Sequence, residues 1–159
     1  MRLLWLAAAI ATAILVASLI PGPYAAVTRA SPQSALLFQT AQIDPTSTAT
    51  MQRACRSCHS NETDWPWYSH VAPVSWMVRK DVSEGREFLN FSLWAQYGTA
   101  GQGQLLTLSA GRIKDGEMPP KRYVLLHPEA QLSDQERSDL ITALERESAR
   151  LSESVTSNE

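Results

Sequence analysis

The longest uninterrupted apolar run in the chain lies at its N-terminus. Leu3 to Ile20 contains 18 residues without a charge and follows the basic Arg2. At ~1.5 Å per residue, a helix of this length would be ~27 Å long, close to the ~30 Å hydrocarbon core of a bilayer. The pattern predicts a signal anchor or a signal peptide over residues 1–20. The length of the run favours an uncleaved anchor, whereas the small residues Val16-Ala17-Ser18 would also suit cleavage.

The rest of the chain divides into three segments. Residues 21–46 predict a tether, because Pro, Ser, Thr, Ala and Gln dominate and only Arg29 and Asp44 are charged. Over residues 47–151, apolar positions recur at helical spacing and no convincing alternating strand pattern appears. This pattern predicts one all-α domain, followed by a disordered tail over residues 152–159.

Caps and apolar stripes mark the individual helices of this domain. Ser47 or Thr46 can cap the first helix, and Ser133 with Glu136 forms the capping box of the last one. A glycine-rich loop is expected at Gly98–Gly103. The apolar stripes consist of Val74, Val78, Val82 and Leu89 after Pro73, and of Leu140, Ile141, Leu144 and Leu151 after the capping box.

The charge balance argues against one broad class of partner. The chain has 14 basic and 16 acidic residues, a formal net charge of −2 at pH 7. Nucleic-acid-binding domains usually carry a clear basic excess. We therefore expect no nucleic-acid partner.

The pentapeptide Cys55-Arg56-Ser57-Cys58-His59 is the most specific chemical motif of the sequence. Cys-x-x-Cys-His is the pattern of covalent c-type haem attachment. On a helical turn this spacing places both sulfurs on one side, where they can form thioethers with the two vinyl groups of one haem. His59 follows directly and can bind the iron as its proximal ligand. The motif predicts one covalent haem c as the cofactor.

Three other interpretations of the two cysteines stay open at this point. A thioredoxin-like dithiol would need a surrounding βαβ pattern, which the sequence lacks. A zinc site would need a fourth ligand, and only His70 lies near. A structural disulfide is the third alternative.

A second motif, Gly116-Glu117-Met118-Pro119-Pro120, lies 59 residues beyond His59, counted to its methionine. An iron that only transfers electrons favours a second axial ligand, and a methionine thioether raises the reduction potential. Prolines after the methionine would hold its sulfur in place, so we predict Met118 as the sixth iron ligand. A methionine that merely packs on the core is the alternative. The other candidates for the sixth position are His70, His127 and Met77.

An aromatic block follows the cysteine motif. Flat indole rings can cover the apolar face of a haem, and their N–H groups can reach a propionate. Ordinary core packing would use the same residues. The predicted haem-wall residues are Trp65, Trp67, Tyr68 and Trp76.

The finer sequence resembles a bacterial haem-binding domain family. The resemblance rests on CRSCHSNETDWPWYSHVAPVSWMVRKDVSEGREFLNFSLW at residues 55–94, followed by GEMPP, and covers roughly residues 45–145. The order of CxxCH helix, Met-Pro loop and C-terminal helix is also similar to class I cytochrome c. The resemblance implies a small cytochrome c-like helical domain around one haem, in a periplasmic or membrane-anchored protein.

The same resemblance suggests a partner for the proximal histidine. In class I cytochromes this ring donates its second N–H to a backbone carbonyl, which fixes the tautomer. Pro73 lies 14 residues after His59, a spacing similar to that of the corresponding proline. The Pro73 carbonyl is therefore the expected acceptor.

We expect an electron carrier rather than an enzyme, anchored in the bacterial inner membrane with its haem domain in the periplasm, or secreted there if cleaved. One alternative is a gas sensor or peroxidase-like enzyme with an open sixth position. The single CxxCH and the isolated His70 and His127 argue against a peroxidase. The other alternative is a structural or assembly subunit of a respiratory complex.

The expected partner is a redox protein with an acidic docking surface. Basic residues outnumber acidic ones around the Met118 loop, which in a class I arrangement lies near the exposed haem edge. A basic rim would steer an acidic partner toward that edge. The rim consists of Arg112, Lys114, Lys121 and Arg122, against Asp115 and Glu117.

Overall fold

The computed structural model describes residues 1–20, 22, 24–29 and 36–157, and these residues form helices and no strand. The predicted all-α class is therefore confirmed. Of the predicted tether and tail, residues 21, 23, 30–35, 158 and 159 lie outside the described residues. The α-helices are α1 (Arg2–Leu19), α2 (Leu37–Thr40), α3 (Pro45–Ala54), α4 (Arg56–His59), α5 (Val74–Phe88), α6 (Gly98–Lys114), α7 (Lys121–Leu126) and α8 (Asp134–Thr156). Short 3₁₀ helices cover Ala25–Arg29, Trp67–His70, Phe91–Tyr97 and Pro128–Ala130.

Helix α1 carries the N-terminal apolar run. It is long and apolar enough to cross a membrane, and none of it is buried against the rest of the protein. A signal sequence would have the same properties. The helix is thus compatible with either an anchor or a signal.

The largest helix–helix contact joins α6 and α8. A Cβ atom added to Gly103 would lie 3.4 Å from the Ser148 carbonyl oxygen, so the glycine allows a close approach. The Ser148 hydroxyl donates a hydrogen bond of 2.7 Å to the Gly103 carbonyl. The predicted glycine-rich loop at Gly98–Gly103 is therefore wrong, because α6 begins at Gly98 and uses its glycine to pack against α8.

The main core lies between these two helices and the cysteine motif. Its side chains come from six helices or turns, so the domain depends on contacts between distant parts of the chain. The largest buried members include Leu37, Met51, Phe91, Trp94, Leu106, Leu140 and Leu144.

The second half of the predicted tether belongs to the domain. Leu37 is fully buried in the core, and the Gln42 backbone N–H donates to the Glu147 carboxylate at 2.9 Å. An exposed tether would bury no side chain and would donate no such bond. The tether prediction is thus wrong for residues 36–46, whose apolar residues Leu36, Phe38 and Ile43 pack on the core.

The caps of the first and last domain helices differ in how well the sequence predicted them. Asp44, rather than Ser47 or Thr46, caps α3, and its side chain accepts from the Ser47 N–H at 2.9 Å. Pro45 occupies the first helical position, so the cap is the residue directly before it, two residues before Thr46. The capping box of α8 at Ser133 and Glu136 is confirmed.

Helix α8 extends beyond the predicted domain end. It continues to Thr156, so the predicted disordered tail is wrong for residues 152–156. The side chain of Leu151 is buried in the core near this end. Packing of the apolar stripe of α8 against the core therefore stabilises the helix beyond residue 151, where the sequence is polar.

Candidate functional site

One cavity of about 330 Å³ contains the chemically specific residues. Its volume falls in the ~300–1,000 Å³ range of ligand-binding pockets. Most of its wall is apolar, with Val78 and Val82 of α5 on one side and Leu106 and Leu140 on another. Cys55, Cys58, His59 and Met118 all line it. The fold thus brings both predicted motifs to one apolar space.

The cysteine motif consists of Cys55, which follows α3 directly, and the short helix α4. The Cys55 carbonyl accepts hydrogen bonds from the N–H groups of Cys58 at 3.2 Å and His59 at 3.0 Å. This turn directs both cysteines toward the cavity, as the spacing predicted. Burial raises the pKa of the Cys55 thiol to about 12 and that of Cys58 to about 11.

The raised thiol pKa values disfavour one competing interpretation, the redox dithiol. Redox dithiols act as thiolates and usually have lowered pKa values. Within the described residues, no group of three His, Cys, Asp or Glu side chains is placed to hold a metal ion. The environment instead suits sulfurs that remain uncharged.

His59 is held in one orientation by two contacts. Its Nδ1 lies 3.0 Å from the Leu89 carbonyl oxygen, and its ring stacks on Phe91 with centroids 5.7 Å apart. With the proton on Nδ1 donated to Leu89, Nε2 is left with its lone pair as a possible metal ligand. Burial lowers the pKa of His59, which keeps the ring neutral.

Leu89, and not Pro73, therefore supplies the carbonyl for the histidine. Leu89 caps the C-terminus of α5 in an extended conformation, so its carbonyl is not used inside the helix. The Pro73 carbonyl instead accepts the Trp76 N–H at 3.1 Å in the first turn of α5. The prediction for Pro73 is wrong because α5 begins there, and the residue does not line the cavity.

Two further residues of α5 position the cysteine motif and were not predicted to do so. A Cβ atom on Gly85 would lie 2.9 Å from the Cys58 carbonyl oxygen, so glycine permits the close approach of α5. The Arg86 guanidinium donates to the Ser60 carbonyl and to the Thr63 hydroxyl, each at 2.8 Å. A glycine inside a helical pattern was the available sequence signal for the first residue.

The Met118 loop is shaped by the end of α6. The N–H of Glu117 donates to the Arg112 carbonyl at 3.0 Å, and that of Gly116 donates to Ile113 at 3.1 Å. This is the Schellman pattern, and Gly116 has the left-handed φ of +72° that the pattern requires. The turn reverses the chain so that Met118 is partly buried against the core and lines the cavity.

We expect Gly116→Ala to destabilise the protein by about 1–2 kcal/mol, because an L-residue is strained at this φ. A Cβ atom at Gly116 meets nothing within 4 Å, so backbone strain is the only cost. Urea unfolding of the haem-loaded protein would measure the change. Gly111→Ala is the matched control, since it also has free space but lies inside α6, where alanine should stabilise by about 0.4–1 kcal/mol. Equal losses in both variants would contradict this account of the turn.

The aromatic block does not act as one wall of the cavity. Tyr68 lines the cavity, but Trp65, Trp67 and Trp76 are absent from its lining. Trp67 is 78% exposed, and Trp65 and Trp76 are half-buried elsewhere. The Trp67 ring contacts the Tyr68 ring edge-on with centroids 5.8 Å apart, but only the tyrosine reaches the cavity.

His127 is not isolated, contrary to the expectation from sequence. The Tyr68 hydroxyl lies 2.5 Å from its Nε2, and its Nδ1 lies 2.9 Å from the Glu129 carboxylate. The Tyr123 ring stacks on it with centroids 4.3 Å apart. Burial raises the pKa of Tyr123 to about 12, so this phenol stays protonated. Tyr68, Tyr123 and His127 all line the cavity.

The other two candidates for a sixth ligand differ in position. Met77 lines the cavity but is 45% exposed. His70 is exposed and lies outside the cavity lining. Met118, Met77 and His127 are thus the candidate ligands that share the cavity with His59.

Two of the four cations in the predicted basic rim are paired within the protein. Arg112 forms an ion pair with Glu117, and Arg122 forms one with Asp81 at 2.6 Å. Lys114 and Lys121 are exposed. The free positive charge near the Met118 loop is therefore smaller than the sequence count indicates.

Comparison with known protein families agrees with this cavity. A family model described as a haem-binding domain matches residues 14–146, which include every residue that lines the cavity. The chain belongs to this haem-binding domain family. No curated protein and no solved structure matches the chain.

The residues of this haem-binding domain fit the cofactor of its family. A haem needs an apolar space and a neutral nitrogen ligand. The cavity supplies the first, and His59 supplies the second through its free Nε2. Cys55 and Cys58 stand on the same turn as His59, and Met118 lines the same space.

Proposed function

We propose that this haem-binding protein is a monohaem c-type cytochrome that carries electrons. The proposal rests on the cavity that these residues share. His59 has a free Nε2 there beside Cys55 and Cys58, and Met118 lines the same cavity. When bound, haem supplies an iron that takes up and releases single electrons. The presence of both His59 and Met118 in this cavity supports electron transfer over catalysis. With both residues bound to the iron, no coordination position would remain open for a substrate.

Each of these residues has a distinct role in the proposal. Cys55 and Cys58 form the two thioethers, so haem is retained without depending on iron ligation. His59 is the proximal ligand, oriented by the Leu89 carbonyl and the Phe91 ring. Met118 provides a soft, neutral sulfur that favours the reduced state of the iron. The apolar lining excludes water and thereby also favours the less charged reduced state.

The Met118 ligand gives this proposal a spectroscopic test. We expect the oxidised protein to show the near-infrared sulfur-to-iron band, and Met118→Ala to lose it. The variant should become high-spin or water-ligated, and its reduction potential should fall because a soft neutral ligand is removed. Optical spectra and a potentiometric titration of the two proteins measure these changes.

Met77→Leu is the matched control because Met77 lines the same cavity and is also a methionine. It should keep the band and the wild-type potential. Loss of the band in Met77→Leu with its retention in Met118→Ala would assign the ligand to Met77. A wild-type spectrum without the band would overturn methionine ligation altogether.

We propose that α1 is an uncleaved anchor in the bacterial inner membrane. After Arg2 the helix contains no charged residue, and none of it is buried. By the positive-inside rule Arg2 stays in the cytoplasm and the haem domain lies in the periplasm, where c-type haem is attached. If the segment is instead cleaved, the domain reaches the same compartment as a secreted protein.

We propose a redox protein with an acidic surface as the electron-transfer partner. Lys114 and Lys121 flank the Met118 loop and are exposed, whereas Arg112 and Arg122 are already engaged in ion pairs. Two exposed cations favour steering of the encounter over tight binding. The rate of electron exchange with such a partner should therefore fall with ionic strength.

A second function is favoured by the hydrogen-bonded group of Tyr68, His127 and Glu129. Tyr68 and His127 line the cavity. Because His127 contacts both the Tyr68 hydroxyl and the Glu129 carboxylate, a proton can pass between the phenol and the carboxylate through the imidazole. Such a group would suit a haem enzyme with an open sixth position. The same oxidised spectrum separates the two functions, because this candidate requires a high-spin wild-type protein.

A further inference from the structure

The stretch from Trp65 to Val78 contains no charged residue over 14 positions. It holds three tryptophans and a tyrosine, and Trp67 is 78% exposed to solvent. Charged residues usually interrupt the water-facing surface of a domain, and an exposed tryptophan within an uncharged stretch indicates an interaction surface. The cavity does not explain the tryptophans, since none of the three lines it.

This uncharged stretch contacts the membrane-compatible helix at its C-terminal end. The Ala72 backbone N–H donates a hydrogen bond of 3.0 Å to the hydroxyl of Ser18, in the last turn of α1. Gly22 lies against the Trp76 indole, since a Cβ atom there would be 2.1 Å from Cδ1 of the ring. The apolar run ends at Ile20, so Ser18 lies where α1 would leave the hydrocarbon core.

These contacts fix the position of the stretch along the normal of a bilayer that α1 spans. Ala72 must lie at the boundary of the hydrocarbon core if α1 spans the membrane. Trp67 is five residues before Ala72, so the two cannot be more than ~18 Å apart. Trp76 contacts Gly22, two residues after the apolar run, so this tryptophan lies near the region in which Trp and Tyr are enriched in membrane proteins, and Trp67 is within reach of that region.

We propose that the stretch from Trp65 to Val78 is a membrane-docking face that seats the haem domain on the bilayer spanned by α1, with the Trp67 indole in the headgroup region. The proposal rests on the proposed anchoring of α1. An indole combines an apolar ring with a polar N–H and so suits this interface. No charged side chain of the stretch has to leave water, which removes the main cost of docking.

Docking by this face would orient the cavity. Tyr68 belongs to the stretch and lines the cavity, and so does the exposed Met77. The part of the cavity wall that these two residues form would lie close to the bilayer surface. The domain would then keep one fixed orientation instead of turning freely at the end of α1.

The test uses ¹⁹F NMR of the full-length, haem-loaded protein labelled with 5-fluorotryptophan. The protein is reduced and placed in nanodiscs of phosphatidylethanolamine and phosphatidylglycerol that contain a gadolinium-chelating lipid. The five tryptophans give separate signals, which Trp→Phe variants assign. Trp5 reports insertion of α1, Trp67 reports docking, and Trp94, which is 2% exposed, is the buried control within the domain.

We expect the gadolinium lipid to remove the signals of Trp5, Trp65 and Trp67 and to leave that of Trp94. Loss of the Trp5 signal alone would overturn docking while the anchor stands, and would leave the face free for a protein partner. If α1 has been cleaved off, Trp5 is absent from the protein. Either this result or an unaffected Trp5 signal would overturn both the proposed anchor and the proposed docking.

A charge substitution provides a second measurement of the same face. Trp67→Glu should weaken docking and restore the Trp65 signal in the gadolinium nanodiscs. Leu108→Glu is the control, because Leu108 is also exposed, at 48%, but lies on α6. Restoration of the Trp65 signal by neither or by both substitutions would contradict a specific role for Trp67.

Discussion

Changing Cys55 and Cys58 together to alanine should abolish covalent haem. The two residues are the only cysteines of the chain, so no other sulfur can form a thioether. Haem staining of a denaturing gel should fall to background, because His59 ligation does not survive denaturation. Each single variant should stain weakly or not at all.

Ser57→Ala is the matched control for the cysteine variants. Ser57 lies between the two cysteines and lines the same cavity, but its change leaves the Cys-x-x-Cys-His pattern intact. It should stain like the wild type. Wild-type staining of the double cysteine variant would end the c-type interpretation.

Changing His59 to alanine should remove the low-spin state of the iron even where haem remains attached. No other nitrogen takes its place easily, because the Leu89 carbonyl and the Phe91 ring define the position of this one imidazole. The Leu89 carbonyl would also lose its donor, at a cost of about 1–3 kcal/mol for an unsatisfied buried group. Optical spectra and urea unfolding measure the two effects.

The control for this variant is His70→Ala, since His70 is exposed and lies outside the cavity lining. It should keep both the spectrum and the stability of the wild type. If the His59→Ala variant kept a low-spin spectrum and the His70→Ala variant lost it, the proximal ligand would be His70 instead.

Local motifs of this protein could be predicted from sequence because their chemistry is fixed by short spacings. The Cys55–His59 turn and the capping box at Ser133 depend on residues within one helical turn. The helical class follows in the same way from apolar stripes. These features needed no knowledge of distant contacts.

Features that depend on distant contacts could not be predicted. Leu89 replaces Pro73 as the histidine's acceptor because the end of α5, 30 residues from His59, brings a free carbonyl to the ring. His127 appeared isolated because its partner Tyr68 is 59 residues away. Likewise, Leu37 is buried by distant parts of the chain, which the Pro-, Ser- and Thr-rich composition of residues 21–46 does not reveal.

The most direct test of the central claim is the intact mass of the wild-type protein, produced in cells that mature c-type cytochromes, after denaturation and thiol alkylation. Thioethers at Cys55 and Cys58 predict a mass increased by one haem and no alkylation, because neither thiol remains free. A protein of unmodified mass that takes up two alkyl groups would contradict covalent haem attachment, whatever the family of the chain.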